Sequence, residues 1–569
     1  MTLALVRGTK VRWSGGRLQM AKQLGDSKST STPVRQVRSI PASPFVGREE
    51  ELQRLAAALA LASHGKGGVI FLTGEPGIGK TRLAREALAV AKERGFTILD
   101  GRAYPLEVGL AYAPLVDAFR PLIGKADPAR LKSLAGDLPS LGHLFEGLRL
   151  PPSVLAMEGL DDPALEKTRL FEAISRFFER LTQEAPVTLF IDDLHWADSA
   201  TLELLHYLAR GLSDQAGLIL ASYRAGSMDS AHRLRELVEP LQRAGLADEM
   251  ALYRLKPDAS HKLIRGILGG DAPNGLLSLL DARAGGTPLF IEALIDALIQ
   301  SGKLKRSTGE NDGWVLNPDG ATGLPQNVRR LILERLDRLA TIERRVLDLL
   351  AIMGDATSHA ILRTASDLEE ETILGALRRL RVVGLVADGI DGLDVTYSIT
   401  HPLIQEVAYA ELPEMERRRA HLTAIKAIES LAEGQQNAMS RLARHYLGAG
   451  SEADSERALA ALVAAGERAL LLCANEEAAR HFEAALAIAR RRGLTESLAD
   501  REEPLLPWLL DRLGEALERV GRPEAAVDVW DEALVERERA GDAVGAARLH
   551  SRLALVEWDR GQFDIAKRP

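Results

Sequence analysis

A single cysteine, Cys473, occurs in the chain, which excludes a disulfide framework and any metal centre built from several thiolates, and fits a reducing compartment. Aromatic residues are scarce at 5%, against 46% hydrophobic and 27% charged, so the apolar content is aliphatic and suits a mostly helical protein. Nowhere does the sequence approach the ~18 consecutive apolar residues of a membrane span, and no short apolar core follows the N-terminal charges as in a secretion signal. A cytoplasmic location without membrane contact is therefore expected. Positive charge is not in excess: the formal net charge of -8 repels phosphates, so any contact with nucleic acid must be local.

With 569 residues there is room for several cores, and the texture changes along the chain divide it. Residues 1–43 carry eight Lys or Arg against one acid, Asp26, and read as a disordered basic tail, either merely solvated or used for targeting or nucleic acid. Residues 44–255 alternate helical periodicity with short apolar runs: GGVIFLTG, FTILDGRA, VTLFIDDLHWAD and GLILASYR. That alternation predicts four parallel strands covered by helices on both faces. Residues 256–323 read as a helical lid, and 324–412 as short helices ending in the hairpin-like GLVADGIDGLDVTYSIT, a winged helix. In that part Arg378, Arg379 and Arg381 make one helix locally basic, which leaves open a nucleic-acid surface or a solvated face. Residues 413–569 are amphipathic helix pairs with a weak repeat at Ala474–Ala479, Gly521–Ala526 and Gly561–Ala566, as stacked tetratricopeptide-like hairpins require; a plain helical bundle is the alternative. The expected fold is thus multidomain α/β plus α: a P-loop parallel sheet, a helical lid, a winged helix and a C-terminal α-solenoid.

Gly74-Glu75-Pro76-Gly77-Ile78-Gly79-Lys80-Thr81 has the form G-x-x-x-x-G-K-[ST]. Its glycines let backbone amides curl around phosphate oxygens, Lys80 neutralises the outer phosphates, and Thr81 offers a hydroxyl to Mg²⁺. The loop follows an apolar strand and opens a helix at Arg82, the context the chemistry needs. Asp192 and Asp193 end the strand VTLFID, at the sheet edge where ligands bind in open α/β sheets. Asp192 would hold the Mg²⁺ and Asp193 would orient or deprotonate an attacking water. Arg224 ends the run ASYR at the same edge, where it either senses the outer phosphate or is simply solvated. The roles of His195, Trp196 and Asp198 are less legible, with Trp196 read as packing.

FVGREEEL, the phosphate loop, KTRLFEAISRF, FIDDLHWAD, ASYR, AGGTPLFIEAL and SITHPLIQEVAY occur in that order between Phe45 and Leu412. The set resembles the STAND class of AAA-type signalling ATPases, in the branch found in large LuxR-type transcriptional regulators and beside class III adenylyl cyclases. The resemblance implies that Val46, Gly47 and Arg48 line the adenine side, that Pro288 of Gly286-Thr287-Pro288 packs near the base, and that His401 touches an ADP phosphate in the resting state. It further implies a weak ATPase working as an ATP/ADP switch in signalling or transcription, with protein partners bound through the repeats and self-assembly that depends on nucleotide. No DNA-reading domain is visible in the sequence. A continuously turning-over ATPase and a repeat scaffold with structural nucleotide are the competing readings.

Overall fold

The computed structural model describes residues 43–104, 110–145, 148, 163–224, 228–307, 313–317, 328–354, 356–391, 394–431, 438–493 and 504–559. Residues 1–42 of the basic tail and the third repeat element at Gly561–Ala566 fall outside them.

Five strands, β1 (Gly68–Gly74), β2 (Thr97–Arg102), β3 (Val187–Asp192), β4 (Gly217–Arg224) and β5 (Ala247–Ala251), form one parallel sheet in the order β2-β3-β4-β1-β5. All six residues of β3 are buried, as a central strand covered on both faces demands. Alternation along β1 sends Ile70 and Leu72 to a core shared with Leu55, Leu59, Leu83 and Leu88 from the helices Glu49–Ser63 and Lys80–Glu93. Val69 and Phe71 go to the opposite core, where Phe119, Ile174, Phe177 and Leu205 come from three helices on the other face. The sequence reading expected four strands; β5 escaped it because Asp248 and Glu249 are exposed at this sheet edge, leaving too little apolar alternation.

Beyond the sheet, the helices Pro257–Leu268, Leu276–Ala284 and Pro288–Gln300 build a separate core around Ile264, Leu280, Ile291 and Leu294. They are followed by an antiparallel pair, β6 (Leu304–Ser307) and β7 (Gly313–Leu316), that was not foreseen. β6 is polar and exposed after Leu304, and β7 is apolar but mostly half-buried; the indole of Trp314 donating to Leu268 O at 2.8 Å ties the pair to the helices. Four helices between Val328 and Val382 then pack with a three-stranded antiparallel sheet, β8 (Thr357–Ser358), β9 (Val386–Asp391) and β10 (Asp394–Ile399), in the order β8-β10-β9. Helix Pro402–Glu411 closes that core through Ile404 and Val407.

Among the described residues, seven α-helices follow from Glu414 to Asp559, each packed on the next from Glu414–Leu431 onward. Close approach is arranged twice in the same way. A Cβ on Gly466 would lie 2.7 Å from the Phe482 ring, and one on Gly514 would lie 2.3 Å from the Trp530 ring. Each aromatic follows its glycine by 16 residues (466 to 482, 514 to 530), so a ring from one helix seats on the bare backbone of the one before it.

Candidate nucleotide site

β1 delivers the chain into the glycine-rich loop at Gly74, and the helix Lys80–Glu93 leaves it. Gly77 and Gly79 have φ of 75° and 103°, values that side chains with a Cβ rarely adopt. A Cβ on Gly74 would stand 2.7 Å from Leu252 O. The Lys80 side chain folds back over this turn, its Nζ donating to Gly74 O at 2.9 Å and to Glu75 O at 3.1 Å. Burial lowers the Lys80 pKa, opposed first by Asp193.

Sheet register brings further groups to the same edge, with Gly74 beside Arg224 and Arg102 beside Asp192. Asp192 is buried and accepts from Thr81 Oγ1 at 3.0 Å on both carboxylate oxygens and from Ser222 Oγ at 2.6 Å. Asp193 adopts φ 56°, its amide donates to Ser222 Oγ at 3.0 Å, and its carboxylate takes Arg102 Nη2 at 3.2 Å. A hydroxyl touching a carboxylate at the N-terminus of a helix is the oxygen set that a hard divalent cation accompanying phosphates takes. Thr81 and Asp192 therefore fit magnesium. His195 is buried with no hydrogen-bond partner for either ring nitrogen among the described residues. Burial, then Arg224 and Lys80, push its pKa down to about 3, so the ring is neutral.

These groups open on a cavity of about 430 Å³. Gly79, Lys80, Thr81, Arg82, Arg102, Asp193 and Arg224 line one part of it, Phe45, Val46, Leu255, Leu263 and Pro288 supply apolar walls, and Thr400, His401 and Pro402 reach it from the segment after β10. His401 caps the helix Pro402–Glu411, its Nδ1 accepting from Leu403 N at 3.1 Å. Burial, helped by Arg102 and Arg224, lowers its pKa to about 4. A neutral ring that accepts at Nδ1 carries its proton on Nε2, which is then a donor.

Most residues singled out from the sequence meet at this cavity: Val46, Arg48, Pro76, Gly77, Ile78, Gly79, Lys80, Thr81, Arg82, Asp193, Arg224, Pro288 and His401 line it. Gly47, Gly74, Glu75 and Asp192 are not among its lining residues. Gly47 lies against the helix Pro257–Leu268, where a Cβ would come within 2.5 Å of Ala259 Cβ. Glu75 pairs with Arg254, its two oxygens 3.1 and 3.3 Å from the guanidinium. Arg48 clamps the loop, donating to Ile78 O at 3.3 Å and also to Tyr253 O. Arg224 is neither free nor solvated: Glu406 takes it in a fork, at 2.6 and 3.3 Å. Sequence reasoning missed Arg85, Arg102 and Glu292 in the lining, and Ser222 and Glu406 behind it. Arg102 ends a strand at the same edge as Asp192, so the rule that selected Asp192 could have found it; Ser222 and Glu406 carry no local signal.

Among the described residues no helix is long and apolar enough to cross a membrane. An uncharacterized protein of Rhizobium meliloti (strain 1021) is 25% identical over 533 residues, covering 80% of this chain and 48% of its own. The chain thus spans about half the length of that curated relative. A STAND protein with a tetratricopeptide repeat sensor from Pyrococcus horikoshii superposes with a TM-score of 0.41 at 14% identity, over 94% of this chain and 83% of that one. The Aeropyrum pernix Orc1 protein, solved in complex with DNA, gives 0.30 at 16% identity, over 65% and 94%. The phosphate loop and the paired aspartates lie within residues 44–220, the segment that matches the AAA ATPase domain family, and that match implies nucleotide binding.

Proposed function

We propose that this chain is a nucleotide-operated switch, binding Mg-ATP in the cavity, hydrolysing it slowly, and exchanging ADP for ATP to change how its C-terminal half is held. Lys80 and the loop amides grip the outer phosphates, and Thr81 and Asp192 hold the metal. Bound magnesium supplies charge neutralisation between the phosphates. Asp193 orients the attacking water, His401 donates Nε2–H to a phosphate, and Val46, Arg48 and Pro288 enclose the base, with Gly47 behind them. The segment 324–412 acts as a winged helix, and the helices from 413 act as tetratricopeptide-like repeats that take protein partners in signalling or transcription.

One observation carries this reading: the residues that close the cavity belong to the element that leads into the repeats. His401 lines the cavity, and Glu406 on the next helix holds Arg224 by its fork. A γ-phosphate arriving near Lys80 competes with Glu406 for Arg224. Contact made in only one of two arrangements is what shifts a population between them.

The test is to identify the nucleotide that copurifies, measure ATP and ADP affinities, and compare the mass in solution with ADP and with a non-hydrolysable ATP analogue. Lys80→Ala should weaken ATP binding on the order of a hundredfold, the loss of charge-assisted bonds to phosphate. An affinity in that variant within a few-fold of the natural chain's sinks the site. An assembly state that ignores nucleotide identity, together with turnover above roughly one per second, replaces the switch with a continuously working ATPase.

A further inference from the structure

One acid in the cavity has no part in the phosphate chemistry. Glu292 lies on the helix Pro288–Gln300, one turn beyond Pro288, and both line the cavity. That helix starts on the phosphate loop itself, where Leu289 N donates to Gly77 O at 3.3 Å and the Leu289 side chain covers Gly77. Two neighbours locate the carboxyl further: the Ser43 hydroxyl and Arg82, the residue after Thr81, both favour its charged form, and both residues line the same cavity. Burial raises its pKa, and Asp296 adds to that. A carboxyl withdrawn from water costs free energy unless polar partners compensate it.

Glu292 thus neighbours both Arg82, next to Thr81 of the phosphate loop, and Ser43, two residues before Phe45 of the apolar wall. Phosphates go to the loop and the helix N-terminus at Lys80 and Thr81. A base goes to the apolar walls formed by Phe45, Val46, Leu255 and Leu263. The part of a nucleotide that joins those ends is its pentose, and the polar atoms a pentose offers are hydroxyl donors. A carboxylate is acceptor only, with two oxygens spaced to take two adjacent hydroxyls.

We propose that Glu292 is the sugar-reading residue of this site, accepting hydrogen bonds from the 2′ and 3′ hydroxyls of a bound ribonucleotide and so selecting ribonucleotides over deoxyribonucleotides. The proposal rests on the nucleotide-binding reading above and adds to it the identity of the sugar. Specificity follows because a site built around a buried acceptor rejects a ligand that lacks the matching donor.

The full chain is titrated with ATP, 2′-deoxy-ATP and 3′-deoxy-ATP, before and after Glu292→Ala. The natural chain should bind ATP about ten- to thirtyfold tighter than either deoxy analogue, the range of one charge-assisted hydrogen bond. Glu292→Ala should bring all three nucleotides to one common affinity within about twofold, ATP losing two hydrogen bonds and each deoxy analogue the one it kept. Retained binding of 2′-deoxy-ATP also shows that the variant is folded. Should the alanine variant not fold, Glu292→Met, which keeps the bulk of the side chain and has no oxygen to accept from a hydroxyl, reads the same ratio. Equal affinities in the natural chain, or a preference that survives both substitutions, overturn the proposal and leave nucleotide binding intact. No binding of any of the three by the natural chain overturns both readings.

Discussion

Gly77 sits at φ 75°, and a Cβ there would lie 2.8 Å from Leu289 Cβ. The position therefore combines backbone strain with a collision against the helix Pro288–Gln300. Gly77→Ala should destabilise the protein by roughly 1–3 kcal/mol and weaken ATP binding, because the loop and that helix meet at that atom. Urea unfolding beside calorimetric titration checks this; wild-type values in both would show that the loop does not need a bare backbone there. At this scale the sequence was informative. Glycines in a G-x-x-x-x-G-K-[ST] run, and Asp192 after five apolar or β-prone residues, declare their chemistry through immediate neighbours. Arg224 did not: that its guanidinium would be taken by Glu406, 182 positions away, is written nowhere near ASYR.

The C-terminal helices carry a different kind of information, a fit between glycine and ring. Gly514 accepts the fully buried Trp530, whose indole donates to Asp511 O at 3.1 Å. Gly514→Ala would place a methyl 2.3 Å from that indole and should cost about 1–3 kcal/mol through overpacking, read as a lowered midpoint in thermal unfolding. The same substitution at Gly493, which has open space around its Cβ position but φ 62°, should act only through backbone strain. Equal midpoints for Gly514→Ala and the natural chain would mean the helix pair yields freely. Helix pairs were legible from 3.6-residue periodicity, and β1 and β3 from unbroken apolar runs. The pair β6 and β7 and the edge strand β5 were not, since short or half-exposed strands bury too few side chains to leave a period.

Across the whole molecule, the C-terminal helices are bound to the domain of the parallel sheet through a buried acid. Glu477 is fully buried and accepts from Ser199 Oγ at 3.0 Å, at the N-terminus of the helix that follows the paired aspartates, with Arg480 2.7 Å away. Burial, with Asp198 alongside, pushes its carboxyl up to about 7. The folded chain thus keeps a proton that the unfolded chain releases above the ordinary carboxyl range. Its contribution to stability is full below about pH 4.5 and is lost as pH rises through about 7. Glu477→Gln removes that dependence, so its stability relative to the natural chain should improve between pH 5 and pH 8 by on the order of 1 kcal/mol or more. Chemical denaturation at the two pH values measures it, and a difference that does not change with pH would place the proton elsewhere. The sequence by itself determined the phosphate loop, the carboxylates at a strand end and the helical character of the C-terminal half, because each depends on residues within a few turns of one another. Only the tertiary structure decided that Glu406 holds Arg224, that Glu292 enters the cavity, and that Glu477 meets Ser199 across 278 residues. Those partners are chosen by packing of distant elements, and no local period or spacing records which side chains that packing brings together.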